Sequence, residues 1–199
     1  MVNSLYIHIP FCRSICSYCD FCKMYYNEKY VKSYLNSLEK EVCSLYKGDT
    51  LKTIYIGGGT PSCLDKLYLN KLFLIIKMFS LADDIEFTFE CNIEDINEDL
   101  LLFLKKNGVN RLSIGIESFN EKLLRVLGRN YSSDIINDKI ILAQKFFSNI
   151  NIDLIYGING ESLNDLKEEL NKFILLDVNH ISIYSLILEN NTMLKINNY

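Results

Sequence analysis

Apolar residues follow two different spacings along the chain, and the two spacings alternate. Runs rich in β-branched and aromatic residues, which favour strands, occupy Ser4–Ile9, Thr53–Ile56, Ile85–Glu90, Arg111–Ile116, Asn151–Tyr156 and His180–Leu186. The segments between them repeat apolar residues every three or four positions, which is typical of amphipathic helices. The first of these segments places on one face Val31, Leu35, Leu38, Val42 and Leu45. The chain is therefore predicted to alternate strand and helix.

Several predicted helices have recognisable ends. Asn97 is placed to cap the helix Glu98–Lys106, and Gly108 stands where a left-handed residue would close it. Ser162 and Asp165 have the spacing of a capping box that opens the last long helix. The other helices are predicted over Tyr30–Tyr46, Leu64–Phe79 and Ser133–Phe147.

This alternation indicates a parallel α/β fold. Parallel neighbours need connections of a dozen or more residues, and the predicted helices supply them. A complete eight-stranded barrel takes about 250 residues, whereas this chain has 199 residues and six predicted strands. We therefore predict a partial (β/α)6 TIM-like barrel with parallel strands, built as one domain over residues 1–199.

The composition narrows the class of protein. Hydrophobic residues make up 49% and charged residues 23% of the chain, as in ordinary globular proteins. The net charge of −4 provides no general attraction for nucleic acid, and no apolar run reaches the roughly 18 residues of a membrane span. Met1–Pro10 lacks the pattern of a signal peptide. We therefore expect a cytoplasmic protein, in which clustered cysteines are metal ligands or reactive thiols rather than disulfides.

Three cysteines carry the strongest chemical signal. Cys12, Cys16 and Cys19 follow the first predicted strand, at the end of a barrel where active sites gather. Closely spaced thiolates can hold an iron–sulfur cluster. Because a cubane has four irons, three ligands leave one iron open to a small molecule. Cys22 is a candidate fourth ligand, and a zinc site made by all four cysteines is the alternative, although zinc sites commonly separate two ligand pairs by a longer stretch.

The other strand ends carry weaker signals. Gly57–Gly59 with Thr60 form either a tight turn or a backbone loop whose N–H groups bind a carboxylate. Glu90 and Glu117 either accept hydrogen bonds from an amine or ribose hydroxyls, or emerge into solvent. Arg129 either binds a carboxylate or forms a surface ion pair.

Two predicted strands also carry polar residues. Asp153 lies within the apolar run Ile150–Tyr156, where a charge without a partner would be costly, and this favours a role in a site. Tyr6 and His8 share one face of the first strand, which would be the barrel interior near the cysteines. A histidine on a strand is commonly a satisfied core or rim residue, so both interpretations of His8 stay open.

Taken in order, these motifs resemble the radical S-adenosylmethionine (SAM) enzymes related to oxygen-independent coproporphyrinogen III oxidase. The resemblance covers nearly the whole chain, and the ordered set is specific although its single members are weak. It rests on Tyr6–Phe21 with its CRSICSYC core, Gly57–Ser62 (GGGTPS), Arg111–Phe119 (RLSIGIESF), Leu127–Arg129 (LGR), Asn151–Gly157 (NIDLIYG) and His180–Tyr184 (HISIY).

The resemblance implies cofactors and the residues that hold them. Cys12, Cys16 and Cys19 would bind a [4Fe–4S] cluster, whose open iron would hold the amino and carboxylate groups of SAM. An electron from the cluster would split SAM, and no catalytic residue beyond the cluster is implied. The SAM-binding positions carried over are Tyr6, Gly58, Gly59, Thr60, Glu90, Glu117, Arg129, Asp153 and Ile187.

One position distinguishes two branches of this family. The coproporphyrinogen oxidases carry a cysteine two places after the third ligand, whereas this chain has Phe21, as the heme-chaperone branch has. The resemblance therefore implies binding of heme and its delivery to an acceptor protein, with an electron donor such as flavodoxin or ferredoxin. The alternatives are decarboxylation of a porphyrinogen, coproporphyrinogen III, and an inactive remnant.

The chain also departs from the family pattern. Glu117 stands where the family usually has glutamine, and Asn92–Ile93 and Asn159 replace common prolines. Relatives continue past the sixth strand into a C-terminal domain that helps to cover the site. We expect that domain to be absent from these 199 residues.

Overall fold

The computed structural model describes residues 2–197. Its strands are β1 (Ser4–Ile9), β2 (Phe11–Cys12), β3 (Met24–Tyr25), β4 (Thr50–Gly58), β5 (Ser80–Asn92), β6 (Arg111–Glu117), β7 (Ile150–Tyr156) and β8 (His180–Ser185). Six of them form one sheet in the order β1-β4-β5-β6-β7-β8, and every neighbouring pair is parallel. β2 and β3 pair separately.

Helices connect the strands of the main sheet. They are α1 (Glu28–Leu45), α2 (Lys66–Ile76), α3 (Glu98–Lys106), α4 (Glu121–Val126), α5 (Ser133–Gln144) and α6 (Leu163–Leu175), and a short helix α7 (Met193–Ile196) follows the last strand. None of the helices within residues 2–197 has the length and apolar character needed to cross a bilayer. The predicted α/β fold with six parallel strands is confirmed, since strand order follows chain order with helical crossovers.

The two faces of the sheet differ in chemistry, because successive side chains of a strand point to opposite sides. One face packs into the hydrophobic core and consists of fully or nearly fully buried residues such as Ile54, Ile56, Phe87, Phe89, Leu112, Ile114, Ile150 and Ile152. The residues between them are largely polar, as at Thr88, Glu90, Ser113, Asn151 and Asp153. The helices pack on the apolar face. The polar face forms the inner side of the sheet.

The predicted helix ends are confirmed. Asn97 caps α3 by accepting a hydrogen bond from the Leu100 N–H at 3.0 Å. Ser162 and Asp165 form a complete capping box at the start of α6. Gly108 has a φ of +90°, a left-handed conformation that favours glycine.

Some elements lie outside the predicted pattern. β5 begins at Ser80, five residues before the predicted start at Ile85, because Ser80 and Leu81 pair with the first residues of β4 beyond a bulge. α4 and α7 are only 6 and 4 residues long, too short for a periodic signal. β2 and β3 are two residues each, and they bring together the two ends of the cysteine loop.

A buried carboxylate joins α6 to the turn after β6. Glu169 is 2% exposed. Its Oε1 accepts hydrogen bonds from the Ser118 hydroxyl and, at 3.1 Å, from the Phe119 N–H. Its Oε2 is buried and has no hydrogen-bond partner within residues 2–197. Burial therefore raises the pKa of the Glu169 carboxyl, although both donors oppose the shift.

We predict that Glu169→Gln stabilises the fold at neutral pH. A carboxyl whose folded-state pKa is raised binds more protons when folded, so stability falls as pH rises from the unfolded to the folded pKa. Glutamine keeps the Oε1 acceptor and removes the buried charge. Urea unfolding at pH 7 should show a gain of about 1 kcal/mol in the free energy of unfolding. As pH rises above the unfolded-state pKa of Glu169, this free energy should fall less in the variant than in the wild type.

The matched control is Glu168→Gln, which makes the same charge change at an exposed position of α6. It should leave the unfolding free energy nearly unchanged. An equal gain from this control would show that burial of Glu169 is not the cause.

Candidate functional site

The polar face of the sheet and the loops at its carboxyl end surround a cavity of about 850 Å³. Residues predicted from distant parts of the chain are brought together here. Tyr6 is the one predicted site residue that does not line this cavity. The others do so, namely Cys12, Cys16, Cys19, Gly58, Gly59, Thr60, Glu90, Glu117, Arg129, Asp153 and Ile187.

The three predicted cysteine ligands form part of the cavity wall. Cys12 ends β2 and is buried, while Cys16 and Cys19 are half-buried in the loop that follows. All three are free thiols. Burial raises the pKa of each thiol above its ordinary value. A thiolate at these positions therefore needs a cationic partner, and a metal ion would supply one.

Backbone contacts fix the middle of this loop. The Ser17 N–H donates to the Leu127 carbonyl at 3.2 Å, and the Leu194 N–H donates to the Ser17 carbonyl at 2.9 Å. Gly128 has a φ of +78°, and a Cβ there would lie 3.3 Å from the Ser17 nitrogen. The LGR motif after α4 therefore holds the middle of the cysteine loop against the end of that helix.

The donor set fits a cluster that is larger than a single ion. In a [4Fe–4S] cubane each protein thiolate binds a different iron, so the sulfurs stand around the cluster rather than converge on one point. Within residues 2–197, no three His, Cys, Asp or Glu side chains converge closely enough to bind one metal ion. Three free thiols on one cavity wall are the type and number of ligands that a cubane with one open iron would take.

The glycine turn at the end of β4 lies directly against Cys12. The Gly59 N–H donates to the Ile9 carbonyl at 2.8 Å, and the Thr60 N–H donates to the Phe11 carbonyl at 2.9 Å. A Cβ on Gly59 would lie 2.9 Å from the Cys12 sulfur and 3.0 Å from both carbonyl oxygens. These N–H groups bind protein acceptors, so of the two interpretations of the glycine run the structure favours the tight turn, and glycine is required at position 59 for close packing.

Glu90 faces the cavity rather than solvent. Its Oε1 accepts from the Tyr55 hydroxyl at 2.7 Å, and its Oε2 accepts from the Gly58 N–H at 2.9 Å. A Cβ on Gly57 would lie 2.6 Å from this carboxyl group, so the glycine makes room for it. Burial raises the pKa of Glu90, and the two donors oppose that shift. Each oxygen has a further lone pair that can accept from an amine.

Asp153 is held by neighbours on the polar face. Its Oδ2 accepts from the Ser113 hydroxyl at 3.2 Å, and its Oδ1 accepts from the Asn151 amide at 2.8 Å. Burial raises the pKa of the Asp153 carboxyl, and these hydrogen bonds oppose the shift. The structure thus explains how a charge is tolerated in this strand, and it places the carboxylate on the cavity wall.

Glu117 and Arg129 form a buried ion pair. The Arg129 Nη2 lies 3.0 Å from Glu117 Oε1, and the two side chains are only 14% and 9% exposed. Glu117 has a φ of +66°, and the register between β6 and β7 shifts just before it. Neither residue emerges at the surface, so the solvent and surface-pair alternatives are wrong for both.

Arg129 is only partly satisfied by protein groups. It also donates to the Asn92 side chain, but its Nε is buried and has no partner within residues 2–197. Burial acts to lower the pKa of the guanidinium, but the Glu117 carboxylate outweighs burial and holds that pKa well above its usual range. An acceptor on a bound ligand or a water would satisfy the remaining donor.

Tyr6 lies beside the cavity rather than on its wall. Its ring centroid is 6.0 Å from that of Tyr55, a wall residue. The Tyr6 hydroxyl lies 3.1 Å from His8 Nδ1, and His8 Nε2 lies 2.7 Å from the Cys22 carbonyl. Because a carbonyl only accepts, Nε2 donates and Nδ1 accepts from tyrosine. His8 therefore joins β1 to the end of the cysteine loop, which is a structural role.

Comparison with known proteins identifies the family. The radical SAM superfamily model matches residues 6–173, well over half of the chain. The chain belongs to the radical SAM superfamily. Membership implies a [4Fe–4S] cluster and SAM as cofactors, and the three thiols lie in the cavity where the chemistry of such a cluster would take place.

Two groups of relatives resemble this radical SAM chain. The heme chaperone HemW of Lactococcus lactis is 40% identical over 193 residues, which cover 96% of this chain and 51% of that protein. HemW of Bacillus subtilis is also 40% identical, over 198 residues that cover 96% of this chain and 52% of that protein. The oxygen-independent coproporphyrinogen III oxidase of Escherichia coli is 30% identical over 188 residues, which cover 92% of this chain and 41% of that enzyme. The chain thus spans about half the length of the HemW relatives.

Solved structures agree with this family. The radical SAM enzyme coproporphyrinogen III oxidase (HemN) from E. coli superimposes with a TM-score of 0.90 at 28% identity, covering 98% of this chain and 46% of that one. Methylornithine synthase (PylB) gives a TM-score of 0.68 at 15% identity, and the match covers 98% of this chain and 56% of that one. At this identity the match supports the fold alone. The chain is therefore a HemW- and HemN-like radical SAM protein.

Further cavity residues of this radical SAM chain were missed from the sequence. They lie on the same polar face, or in the cysteine loop, and include Tyr18, Tyr55, Arg111, Ser113, Asn151, His180 and Ser182. Those on strands stand at every second position, and strand pairing puts them on the same face of the sheet as Glu90, Glu117 and Asp153. That period of two was the signal that could have found them.

We predict that Gly59→Ala disrupts the contact between β4 and the cysteine loop. Its Cβ would meet two backbone oxygens and the Cys12 sulfur, so the variant should lose about 1–3 kcal/mol of stability. It should also lose most of the iron taken up on anaerobic reconstitution, as measured by iron analysis.

Gly48→Ala is the control, since Gly48 has a φ of +89° but nothing within 4 Å of the added Cβ. It should weaken folding through backbone strain alone and keep its iron. Full iron content in the Gly59 variant would contradict the proposed contact.

We predict that Arg129→Met is strongly destabilising because it leaves Glu117 buried without its cation. Breaking one side of a buried pair costs about 3–5 kcal/mol. The double variant Glu117→Gln/Arg129→Met should recover most of that loss, because no buried charge remains. Urea unfolding of the wild type, both single variants and the double variant measures this coupling, and equal losses in the Arg129→Met and double variants would rule it out.

Proposed function

We propose that the protein holds a [4Fe–4S] cluster on Cys12, Cys16 and Cys19 and binds SAM in the adjoining cavity. The main support is that three free thiols, the three largely buried carboxylates of Glu90, Glu117 and Asp153, and a partly satisfied guanidinium line one cavity. An amino acid carries an amine and a carboxylate, and these are the groups that such side chains bind. The radical SAM core would extend over the whole chain.

The cavity residues would bind SAM through complementary groups. Glu90 would accept hydrogen bonds from the amine, and Arg129 Nε would donate to the carboxylate. Asp153 and Glu117 would accept hydrogen bonds from ribose hydroxyls. When bound, the cluster supplies the electron that splits SAM, while the protein fixes position and limits access of water.

Two positions at the rim complete the proposed site. Ile187 is 65% exposed and lines the cavity, so it would cover the adenine ring by apolar contact. Tyr6, which is 55% exposed beside Tyr55, would lie next to the cluster and SAM. Both contacts would remove apolar side-chain area from water.

We further propose that the whole protein acts in heme delivery. Support comes from the two HemW relatives at 40% identity and from Phe21, which occupies the position where coproporphyrinogen oxidases carry a cysteine. Phe21 is 71% exposed and lines the cavity, so it is available to a ligand or a partner. A heme-acceptor protein and an electron donor such as flavodoxin or ferredoxin would be the partners.

A second candidate function is oxidation of coproporphyrinogen III, favoured by the TM-score of 0.90 to the E. coli enzyme. The two functions give different products. Incubation of the reconstituted protein with SAM, a reductant and coproporphyrinogen III should leave this substrate unchanged if the protein is a chaperone. Formation of protoporphyrinogen would establish the oxidase instead.

We predict that anaerobic reconstitution yields a reduced [4Fe–4S] signal in EPR that changes when SAM is added. The change is expected because SAM would bind the iron that no cysteine holds. Cys12→Ser, Cys16→Ser and Cys19→Ser should each lose most of the cluster, as measured by iron and acid-labile sulfide.

Two further cysteine variants serve as controls. Cys43→Ser alters an exposed thiol on α1, and Cys22→Ser alters the candidate fourth ligand, which is also exposed. Both should keep the cluster and its response to SAM. A spectrum that SAM does not change, loss of the cluster in Cys22→Ser, or stoichiometric zinc without sulfide would each contradict the proposed site.

A further inference from the structure

The cavity has a cationic end away from the cysteines. Arg111 begins β6, and His180 begins β8, and both line the cavity. Arg111 lies six residues before Glu117 along β6, a separation of about 20 Å at the rise of a parallel strand. These two residues belong to the amino-terminal end of the sheet, whereas the cysteine loop covers its carboxyl end.

The charge of Arg111 acts on the Asp153 carboxylate, where it opposes the rise in the pKa of that carboxyl, but Arg111 forms no close ion pair with it. None of the ion pairs within residues 2–197 includes Arg111. Its guanidinium donates to the Thr88 hydroxyl at 3.2 Å and to His180 Nδ1 at 2.8 Å, and both acceptors are uncharged. A guanidinium has five N–H donors in a planar fork. Unused donors and a positive charge without a close counter-ion therefore remain for a ligand in the cavity.

His180 adds a donor of its own. Because a guanidinium can only donate, His180 Nδ1 must accept, and the proton of the neutral ring lies on Nε2. His180 is exposed, so this N–H is accessible. A guanidinium fork beside an imidazole N–H is suited to a carboxylate, which accepts two hydrogen bonds in one plane.

Apolar side chains line the cavity further along β8 and just beyond it, toward the carboxyl end of the sheet. Tyr184 lies four residues after His180 on β8 and is 55% exposed, and Ile187 follows it at 65% exposure. Both line the cavity beside an edge strand of the sheet. The ligand that matches this surface has a carboxylate at one end and a broad apolar body.

We propose that Arg111 and His180 form an anion subsite for a carboxylate of the tetrapyrrole, whose macrocycle packs on Tyr184. The inference rests on the proposed function, which supplies a tetrapyrrole as the ligand, and it names the part of the ligand that this chain recognises. Two of the three arginines that line the cavity then differ in use. Arg129 is paired with Glu117, and Arg111 is left for the ligand's carboxylate.

The test compares protoporphyrin IX, the metal-free macrocycle of heme, with its dimethyl ester, which lacks the carboxylate charges. Binding to the reconstituted protein is followed by fluorescence anisotropy, so that iron ligation cannot contribute. The wild type should bind the diacid at least about tenfold more tightly than the ester, as one charge-assisted contact predicts. Arg111→Gln should abolish this preference by weakening only the diacid.

Further variants separate the subsite from general effects. Lys106→Gln makes the same charge change at an exposed site on α3 outside the cavity wall and should keep the preference for the diacid. His180→Leu, at an exposed position, should reduce that preference, and it tests the subsite if Arg111→Gln fails to fold. Arg111→Lys should keep part of the preference for the diacid, because the positive charge remains but the planar guanidinium fork is lost.

The possible failures point to different conclusions. If the wild type binds diacid and ester equally, or if Arg111→Gln and His180→Leu weaken both equally, the subsite is wrong while tetrapyrrole binding stands. If neither porphyrin binds and a parallel heme titration is also negative, heme binding by this chain is wrong, and the subsite fails with it.

Discussion

The structure depends on the chemical difference between the two faces of its parallel strands. Parallel strands buried on both faces usually form continuous apolar runs. Here Phe87 and Phe89 are 1% and 0% exposed in the core, whereas Thr88 and Glu90, which alternate with them along β5, lie on the opposite face. A closed barrel fills its interior with branched apolar side chains. Polar side chains that need hydrogen bonds cannot fill it in that way, so the interior remains a cavity.

The same constraint determines how charge is kept inside the cavity. Each buried carboxylate is held by protein donors, as Glu90 is by Tyr55 and the Gly58 backbone. The cations are less completely satisfied, since Arg129 has an unpartnered Nε and Arg111 has no ion pair within residues 2–197. A buried polar group without a partner is costly. The cavity is therefore better matched to ligands that carry carboxylates than to water alone.

Much of this could be predicted from the sequence, because local patterns determine strands, helices and caps. The three candidate ligand cysteines could also be predicted, since three thiols within eight residues need no tertiary information. The contact of Arg111 with His180 was not, because it joins residues 69 positions apart through the pairing of three strands. The Glu117–Arg129 pair depends on the left-handed backbone at Glu117, which no periodicity reveals for a non-glycine residue.

The most direct measurement of the central claim is an anaerobic crystal structure of the reconstituted protein with SAM. The account predicts a four-iron cluster on Cys12, Cys16 and Cys19, with the SAM amine and carboxylate between the remaining iron and the side chains of Glu90 and Arg129. A cluster bound through Cys22, or SAM bound outside the polar face of the sheet, would contradict it.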